Sequence, residues 1–371
     1  MQRVQFNELC LGVPIPFDVF DTEGTLLLRK GYIVSYQGSL DRLLAEGVFR
    51  TDMTGAPPST KAPMEEPPVP TVELMFHTRH RLGRVFGGIL AVGKVAGFPE
   101  RLRDMAGAIQ KAAAQNHYAA LAGAYLDVEA SYILQSHIQS ALITEILGKS
   151  AGFNSEERLS MICAALSKDI GMIEIHEQLD RKSELSDVHR IVIKNHTIAG
   201  YNKCEELGVV DGLWLDSVLL HHERLDGSGY PRKLNGDQLA GATRILAIAD
   251  CFGAMVRPRP YRKALVGKDA LRELFLLKEQ FSTDLIQLLI KTIGVFPPGS
   301  LVRLANGETA VVVRSTEDRS HPLICSFINT SGMPMVEPQS RNSTQAKYAI
   351  QSMEPLEKYR VHIHGLLKLW L

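Results

Sequence analysis

The residues whose types could do chemistry crowd into one stretch of this 371-residue chain, His221 to Arg262. It reads HHERLDGSGYPRKLNGDQLAGATRILAIADCFGAMVRPRPYR. His221, His222 and Glu223 lead into a loop rich in glycine that contains Gly229, Tyr230 and Pro231. An apolar segment then delivers Asp250, and a basic segment with Arg257, Arg259 and Arg262 follows. Neutral imidazoles and carboxylates together suit a divalent ion of the Mn, Fe, Ni or Zn kind, whereas the planar guanidinium fork suits phosphate. A His-His pair by itself also occurs where surface histidines flank a tight turn, so the pair alone leaves both readings open.

Several elements must position such a stretch. From Val72 to Ser150 the pattern is helical, with alanine-rich periodic runs such as Leu102 to Ala124. Two further helical stretches, Lys268 to Leu277 and Thr283 to Ile293, follow it, and Leu285, Leu288 and Leu289 make a core stripe on the second. From Pro297 the character changes to alternating strands, with Asn306-Gly307 as a hairpin turn. At the other end, Phe17, Val19 and Phe20 precede the turn residues Asp21 to Gly24, and Leu26 to Leu28 complete a hairpin. A short helix, Ser39 to Glu46, is expected after it. Thr54 to Pro70 carries six prolines and reads as a semi-rigid linker. The basic cluster His77, Arg79, His80, Arg81 and Arg84 covers most of a helix circumference, so it is expected to be a solvated face, and His117 and His176 are given no site role.

Composition narrows the function classes. Lysine plus arginine equals aspartate plus glutamate at 41 each, so no global field recruits a nucleic-acid polymer or an anionic membrane, and phosphate recognition must be local. The five cysteines are scattered and lack CxxC spacing, which suggests neither a disulfide framework nor a zinc knuckle and fits a reducing cytoplasm. Neither the N-terminus nor the best apolar run, Val85 to Phe98, reads as a signal peptide or a membrane span.

The order and spacing of His221-His222-Glu223, DGSGYP at 226–231, IADCFGAM at 248–255 and RPYR at 259–262 resemble the HD-GYP family, metal-dependent phosphodiesterases that open cyclic di-GMP. The resemblance runs from about Tyr132 to Tyr261. It implies a mainly α, HD-superfamily helical bundle at 72–294, preceded by a small α+β module at 1–53 and a linker at 54–71, and followed by a small β extension at 295–371. It also implies roles. Asp169 in LSKDIGM, His196 in KNHTIAG, His221, His222 and Asp250 fall on metal-ligand positions. Gly229, Tyr230 and Pro231 border the substrate pocket, and Arg259 and Arg262 meet the phosphates and base.

Two positions depart from the family pattern. Lys168 stands where the histidine of the His-Asp pair belongs, and Met172 replaces a lysine. Ungapped spacing places Ser136 at the early histidine, with His137 one residue, about 100° of helix, away. An ordinary lysine, with a pKa of about 10.4, offers no lone pair at neutral pH, so Lys168 is expected to act as a substitute cation in the catalytic site beside Asp169. Asp169, His196, His221 and His222 keep one ligand set whole, which leads to the expectation of one transition metal (Fe, Mn, Ni or Zn) per chain. The expected function is a cyclic di-GMP phosphodiesterase weakened by ligand loss. The alternatives are an inactive receptor that relays nucleotide occupancy to a signalling partner, and an interaction module with neither activity nor ligand.

Overall fold

The computed structural model describes residues 2–4, 13–20, 24, 26–32, 34, 49–50, 69–127, 131–175, 186–255 and 267–370. They fall into two compact units, Met1–Val69 and Pro70–Leu371. In the first, β1 (Gln2–Arg3), β2 (Val19–Phe20), β3 (Leu26–Leu28) and β4 (Phe49–Arg50) form a sheet in the order β1-β4-β2-β3. Val19 pairs with Leu28 across the antiparallel β2–β3 hairpin that the turn residues indicate, and Val4, Ile15, Val19 and Val34 make its small core. The expected helix at 39–46 and most of the proline-rich stretch lie outside the described residues.

The second unit is mainly helical. Its helices are α1 (Thr71–Val92), α2 (Phe98–Tyr125), α3 (Tyr132–Ser150), α4 (Ser155–Ser167), α5 (Asp187–Glu206), α6 (Gly212–Leu220), α7 (Gly241–Met255), α8 (Gly267–Leu276) and α9 (Thr283–Ile293). α3 is buried on every face from His137 to Gly148, so it is the central helix and the others pack around it. That burial explains how five polar residues of α3, His137, Gln139, Ser140, Thr144 and Glu145, come to lie inside the bundle. Phe98, Leu102, Leu142, Leu147, Trp214, Leu246 and Phe252 are among the largest members of the shared core.

Local sequence chemistry fixes where the site-bearing helices begin. Asn154 and Glu157 form a reciprocal capping box at the start of α4, and Asp211 caps α6 by accepting from Trp214 N at 3.1 Å. The other oxygen of Asp211 accepts from Arg103 on α2 at 2.7 Å and from Ser160 on α4 at 2.5 Å. Trp214 then donates its indole N–H to Ser167 Oγ, at 2.8 Å. α6 is thereby tied to the C-terminal end of α4, so the residues just beyond the two helices, His221 and Lys168, are brought together.

The cluster at 77–84 is not the uniformly solvated face that its spacing suggests. Arg79 is buried and donates to both carboxylate oxygens of Asp127, at 2.8 and 3.2 Å, which locks α1 against the end of α2. Arg81 and Arg84 are exposed as expected. Sequence spacing missed the pair because Asp127 lies 48 residues away.

After α9 the chain forms a five-stranded antiparallel sheet of β5 (Leu301–Leu304), β6 (Thr309–Arg314), β7 (Leu323–Ile328), β8 (Pro334–Asn342) and β9 (Ile350–Glu354), in the order β8-β7-β6-β5-β9. Asn306-Gly307 makes the β5–β6 turn, with Gly307 N bonded to Leu304 O at 2.9 Å. Short helical turns follow, including α10 (Ile363–Leu366). Leu301, Val311 and Phe327 of the sheet share a core with Ala122 and Leu126 at the end of α2 and with Ile363 and Leu366. No described helix is long and apolar enough to cross a membrane. Cys163, Cys204, Cys251 and Cys325 are thiols, and no disulfide joins described residues.

Candidate metal centre

Five elements end at, or pass through, one point. α3 carries His137, the turn after α4 carries Lys168 and Asp169, α5 carries His196, the end of α6 carries His221 and His222, and α7 carries Asp250. Gly171 permits the closest approach. A Cβ built there would lie 2.2 Å from His196 O and 2.4 Å from Gly200 N, so only glycine lets the Asp169 turn sit directly on α5.

Three histidines are oriented in the same way. The Nδ1 of His137 faces Ile133 O at 2.7 Å, that of His221 faces Val218 O at 2.8 Å, and that of His196 faces Ile193 O. A carbonyl only accepts, so each Nδ1 carries the proton and each Nε2 presents its lone pair. Those Nε2 atoms converge on the Asp169 carboxylate: His196 lies 3.4 Å and His221 3.9 Å from Oδ1, and His137 lies 3.8 Å from Oδ2. The Nε2 atoms of His196 and His221 are 3.3 Å apart. Ligand atoms of His196, His221 and His222 all lie within 4.8 Å of one another.

The other side of Asp169 is occupied by Lys168. Its side chain is 2 % exposed, and its Nζ contacts Asp169 Oδ2 and lies 2.9 Å from Asp250 Oδ1. Burial opposes its charge, but the carboxylates of Asp169 and Asp250 outweigh that and raise its pKa above the ordinary value. Both carboxylates are correspondingly held below the usual range, since Lys168 more than offsets the effect of burial. Lys168 is therefore a salt-bridged ammonium and has no lone pair to give. His221 is pushed down to about 4 by burial and then by His196, and His222 is also held well below its ordinary value by burial. Both imidazoles are neutral near pH 7, the form that binds metal.

The family-implied divalent metal can be tested against this donor set. Three imidazoles and one Asp169 oxygen, with the far ring nitrogens of His196 and His221 already committed to carbonyls, fit one ion. On the Lys168 side the available donors are His137 Nε2, Asp169 Oδ2 and Asp250, with an ammonium among them, which does not fit a second.

The wall of the site comes from the loop after α6. Glu223 is buried, and its carboxylate accepts the backbone N–H groups of Arg232, Lys233 and Leu234 at 2.5, 3.0 and 3.0 Å. Gly229 is pressed onto the backbone of His222 to Arg224, where a Cβ would lie 2.4 Å from Glu223 Cα. Tyr230, fixed by this approach and by a 3.2 Å bond from its N–H to His222 O, stacks on His222 with centroids 4.9 Å apart and 25° between planes. His222, Tyr230, Pro231 and Asp250 are partly exposed while His137, Lys168, Asp169, His196 and His221 are buried, so the centre opens on the Tyr230 side.

The structure thus brings together Lys168, Asp169, His196, His221, His222 and Asp250, with Tyr230 and Pro231 at the rim. It corrects the reading at α3. His137, fully buried, reaches Asp169, whereas Ser136 is only half-buried and is not the residue that meets the carboxylate. Glu223 is the residue whose role the sequence reading left unassigned, although its place beside the histidine pair was the available signal. Arg257, Arg259 and Arg262 lie outside the described residues, as does His176.

Residues 124–284 match the HD domain family. A cyclic di-GMP phosphodiesterase of Pseudomonas aeruginosa is 31% identical over 151 residues, which cover 40% of this chain and 36% of that protein. A 3'3'-cGAMP-specific phosphodiesterase of Vibrio cholerae is 34% identical over 143 residues, 38% of this chain and 32% of that protein. The aligned stretch thus spans about a third of each relative's length. Among solved structures, the HDG"Y"P protein Bd1817 from Bdellovibrio bacteriovorus superposes with a TM-score of 0.50 at 16% identity, covering 78% of this chain and 98% of that one, a likeness of fold. The segment that matches the HD domain family, whose members are metal-dependent, is the one that carries the converging histidines. Over this segment, with its HHE and DGSGYP runs, the chain is similar to the HD-GYP proteins.

Proposed function

We propose that this chain is a phosphodiesterase of cyclic dinucleotides, with cyclic di-GMP as substrate, that works with one transition-metal ion and is slowed by the lack of a second. The observation that carries the reading is the Lys168 ammonium bridging Asp169 and Asp250 beside an intact set of His196, His221, His222 and Asp169. A divalent ion of the Fe, Mn, Ni or Zn class, held by that set, supplies positive charge to a phosphate and acidifies water. The chain's own groups do the remainder. The Nδ1–H bonds keep His196 and His221 in the metal-binding tautomer, Tyr230 and the backbone of Gly229 and Pro231 wall the opening, and Lys168 stops two buried carboxylates from repelling each other. Arg259 and Arg262 are proposed to hold phosphate and base, by family position. The names of relatives that act on cyclic di-GMP and on 3'3'-cGAMP support the substrate class. The free thiols support a cytoplasmic setting.

The same lysine supports a second reading, a receptor that binds the nucleotide without opening it and passes occupancy to a signalling partner. Elemental analysis together with product chromatography decides between them. One metal per chain with slow, metal-dependent release of linear product supports the enzyme. Nucleotide binding without product supports the receptor, and two or more metals per chain after dialysis removes the single-ion basis of both.

A further inference from the structure

A second cleft in the same unit, of about 310 Å³, lies between the end of α3, α9 and the connection from β6 to β7. Lys149 enters it from α3, Lys291 from α9 and Arg319 from the connection, while His117 and Tyr118 line it from α2, just after a break in that helix at Asn116. Lys149 is twelve residues beyond His137 on α3, so the cleft is roughly 18 Å along the helix from the metal centre.

Arginines that lie inside or between packed elements of the unit are matched, as in Arg79–Asp127, Arg103–Asp211, Arg303–Glu354 and Arg341–Glu308. Among the described residues no carboxylate lies within ion-pair distance of Lys149, Lys291 or Arg319. The one carboxylate in the lining, Glu145, is already held by Arg158 at 3.0 Å. Arg319 is aimed by a 3.0 Å bond from its Nη1 to Ser315 Oγ, which leaves its other guanidinium donors for a ligand. His117 is kept from protonation by burial and by Lys149 and Arg319, so it offers a neutral N–H beside the cations. Three unmatched cations around one concavity repel one another, and an anion relieves that repulsion.

We propose that this cleft is a binding site for a compact phosphate-bearing anion, held by Lys149, Lys291 and Arg319 with donors from His117 and Tyr118, separate from the metal centre. The volume lies at the lower end of small-ligand pockets, room for a diphosphate or a mononucleotide but not for a large ligand. The shared chemistry is the phosphate group, whether it arrives free or on a nucleoside.

The test is calorimetric titration of the full, metal-loaded chain with inorganic phosphate, pyrophosphate and guanosine monophosphate, repeated on Arg319→Gln and on Lys149→Gln with Lys291→Gln. Pyrophosphate is expected to bind the parent and to raise its melting temperature. Each variant should bind at least tenfold more weakly while keeping the parent's metal content and its melting temperature without ligand. Tighter binding of guanosine monophosphate than of pyrophosphate would assign the natural ligand to nucleotides, and the reverse order to free polyphosphate; either supports the site. Failure of all three probes to bind at millimolar concentration overturns the proposal. So does an affinity for pyrophosphate equal in parent and variants, which would place the anion at the metal centre.

Discussion

Lys168 decides more of the chemistry than any other single residue. A charge this deeply buried is tolerable only because two carboxylates meet it, and removing one partner of such a cluster characteristically costs about 3–5 kcal/mol. Lys168→Met should therefore destabilise the metal-free protein by about that amount in urea unfolding, and added Mn or Zn should restore part of it by neutralising Asp169 and Asp250 in place of the ammonium. Lys168→His should do more. Because His137 already reaches Asp169, this one change supplies the missing nitrogen, and metal content should rise from one to two per chain with at least tenfold faster hydrolysis of cyclic di-GMP. Unchanged metal content in a folded Lys168→His variant would show that Asp250 and His137 do not form a second set. His221 sets a pH dependence. Its folded value of about 4 lies below the unfolded value of about 6.5, so below about 6.5 the unfolded chain takes up a proton that the folded chain cannot. Stability is fully present above about 6.5 and falls by about 3 kcal/mol as pH drops toward about 4, which urea midpoints of the chelated protein across that window would measure. Metal binding shares this direction, because protons compete for the same Nε2 atoms.

At the scale of the element, glycines and one carboxylate place the helices. Gly171→Ala puts a methyl group into the backbone of α5 and forces Asp169 away from His196. The expected cost is about 3 kcal/mol in stability together with loss of metal, read by unfolding and elemental analysis on the same sample. Glu223→Ala leaves three backbone donors at residues 232–234 without their acceptor. The loop carrying Tyr230 should loosen from His222, with about 1–3 kcal/mol lost from stability and weaker nucleotide binding but normal metal content. Equal loss of metal and of nucleotide binding would show instead that Glu223 supports the ligands themselves.

For the whole molecule, the C-terminal sheet packs on the end of α2 through a core of its own. Ala122 and Leu126 of α2 are buried against Leu301, Val311 and Phe327, and Trp370 donates its indole N–H to Val313 O at 3.0 Å. Arg303 is fixed between Glu354 and Tyr359, at 3.0 and 2.8 Å, which fastens β5 to β9 and to the last helical turns. A chain ending at residue 294 would expose the end of α2. It is expected to lose cooperative unfolding by circular dichroism and to bind a hydrophobic dye, whereas residues 70–371 should unfold in a single transition. A fully cooperative, metal-binding 70–294 fragment would show that the shared core contributes little.

The sequence by itself picked out most of the polar residues that the fold brings to one point. His196, His221, His222 and Asp250 were legible because each sits in a short run whose spacing is local, and the Asn306-Gly307 turn and the α9 stripe were legible for the same reason. The ordinary pKa of lysine suggested that Lys168 would be a cation, and the two carboxylates that the fold places beside it keep it one despite burial. Tertiary structure decided the rest. His137 faces the centre because α3 is wrapped on every side and its rotation is set by packing, which no count of residues back from Lys168 reveals. Arg79 found Asp127, and Lys149, Lys291 and Arg319 found one another, across separations of tens to more than a hundred residues along the chain. Helical periodicity reports which face of a helix is apolar, but only the packed fold reports which charges that face will meet.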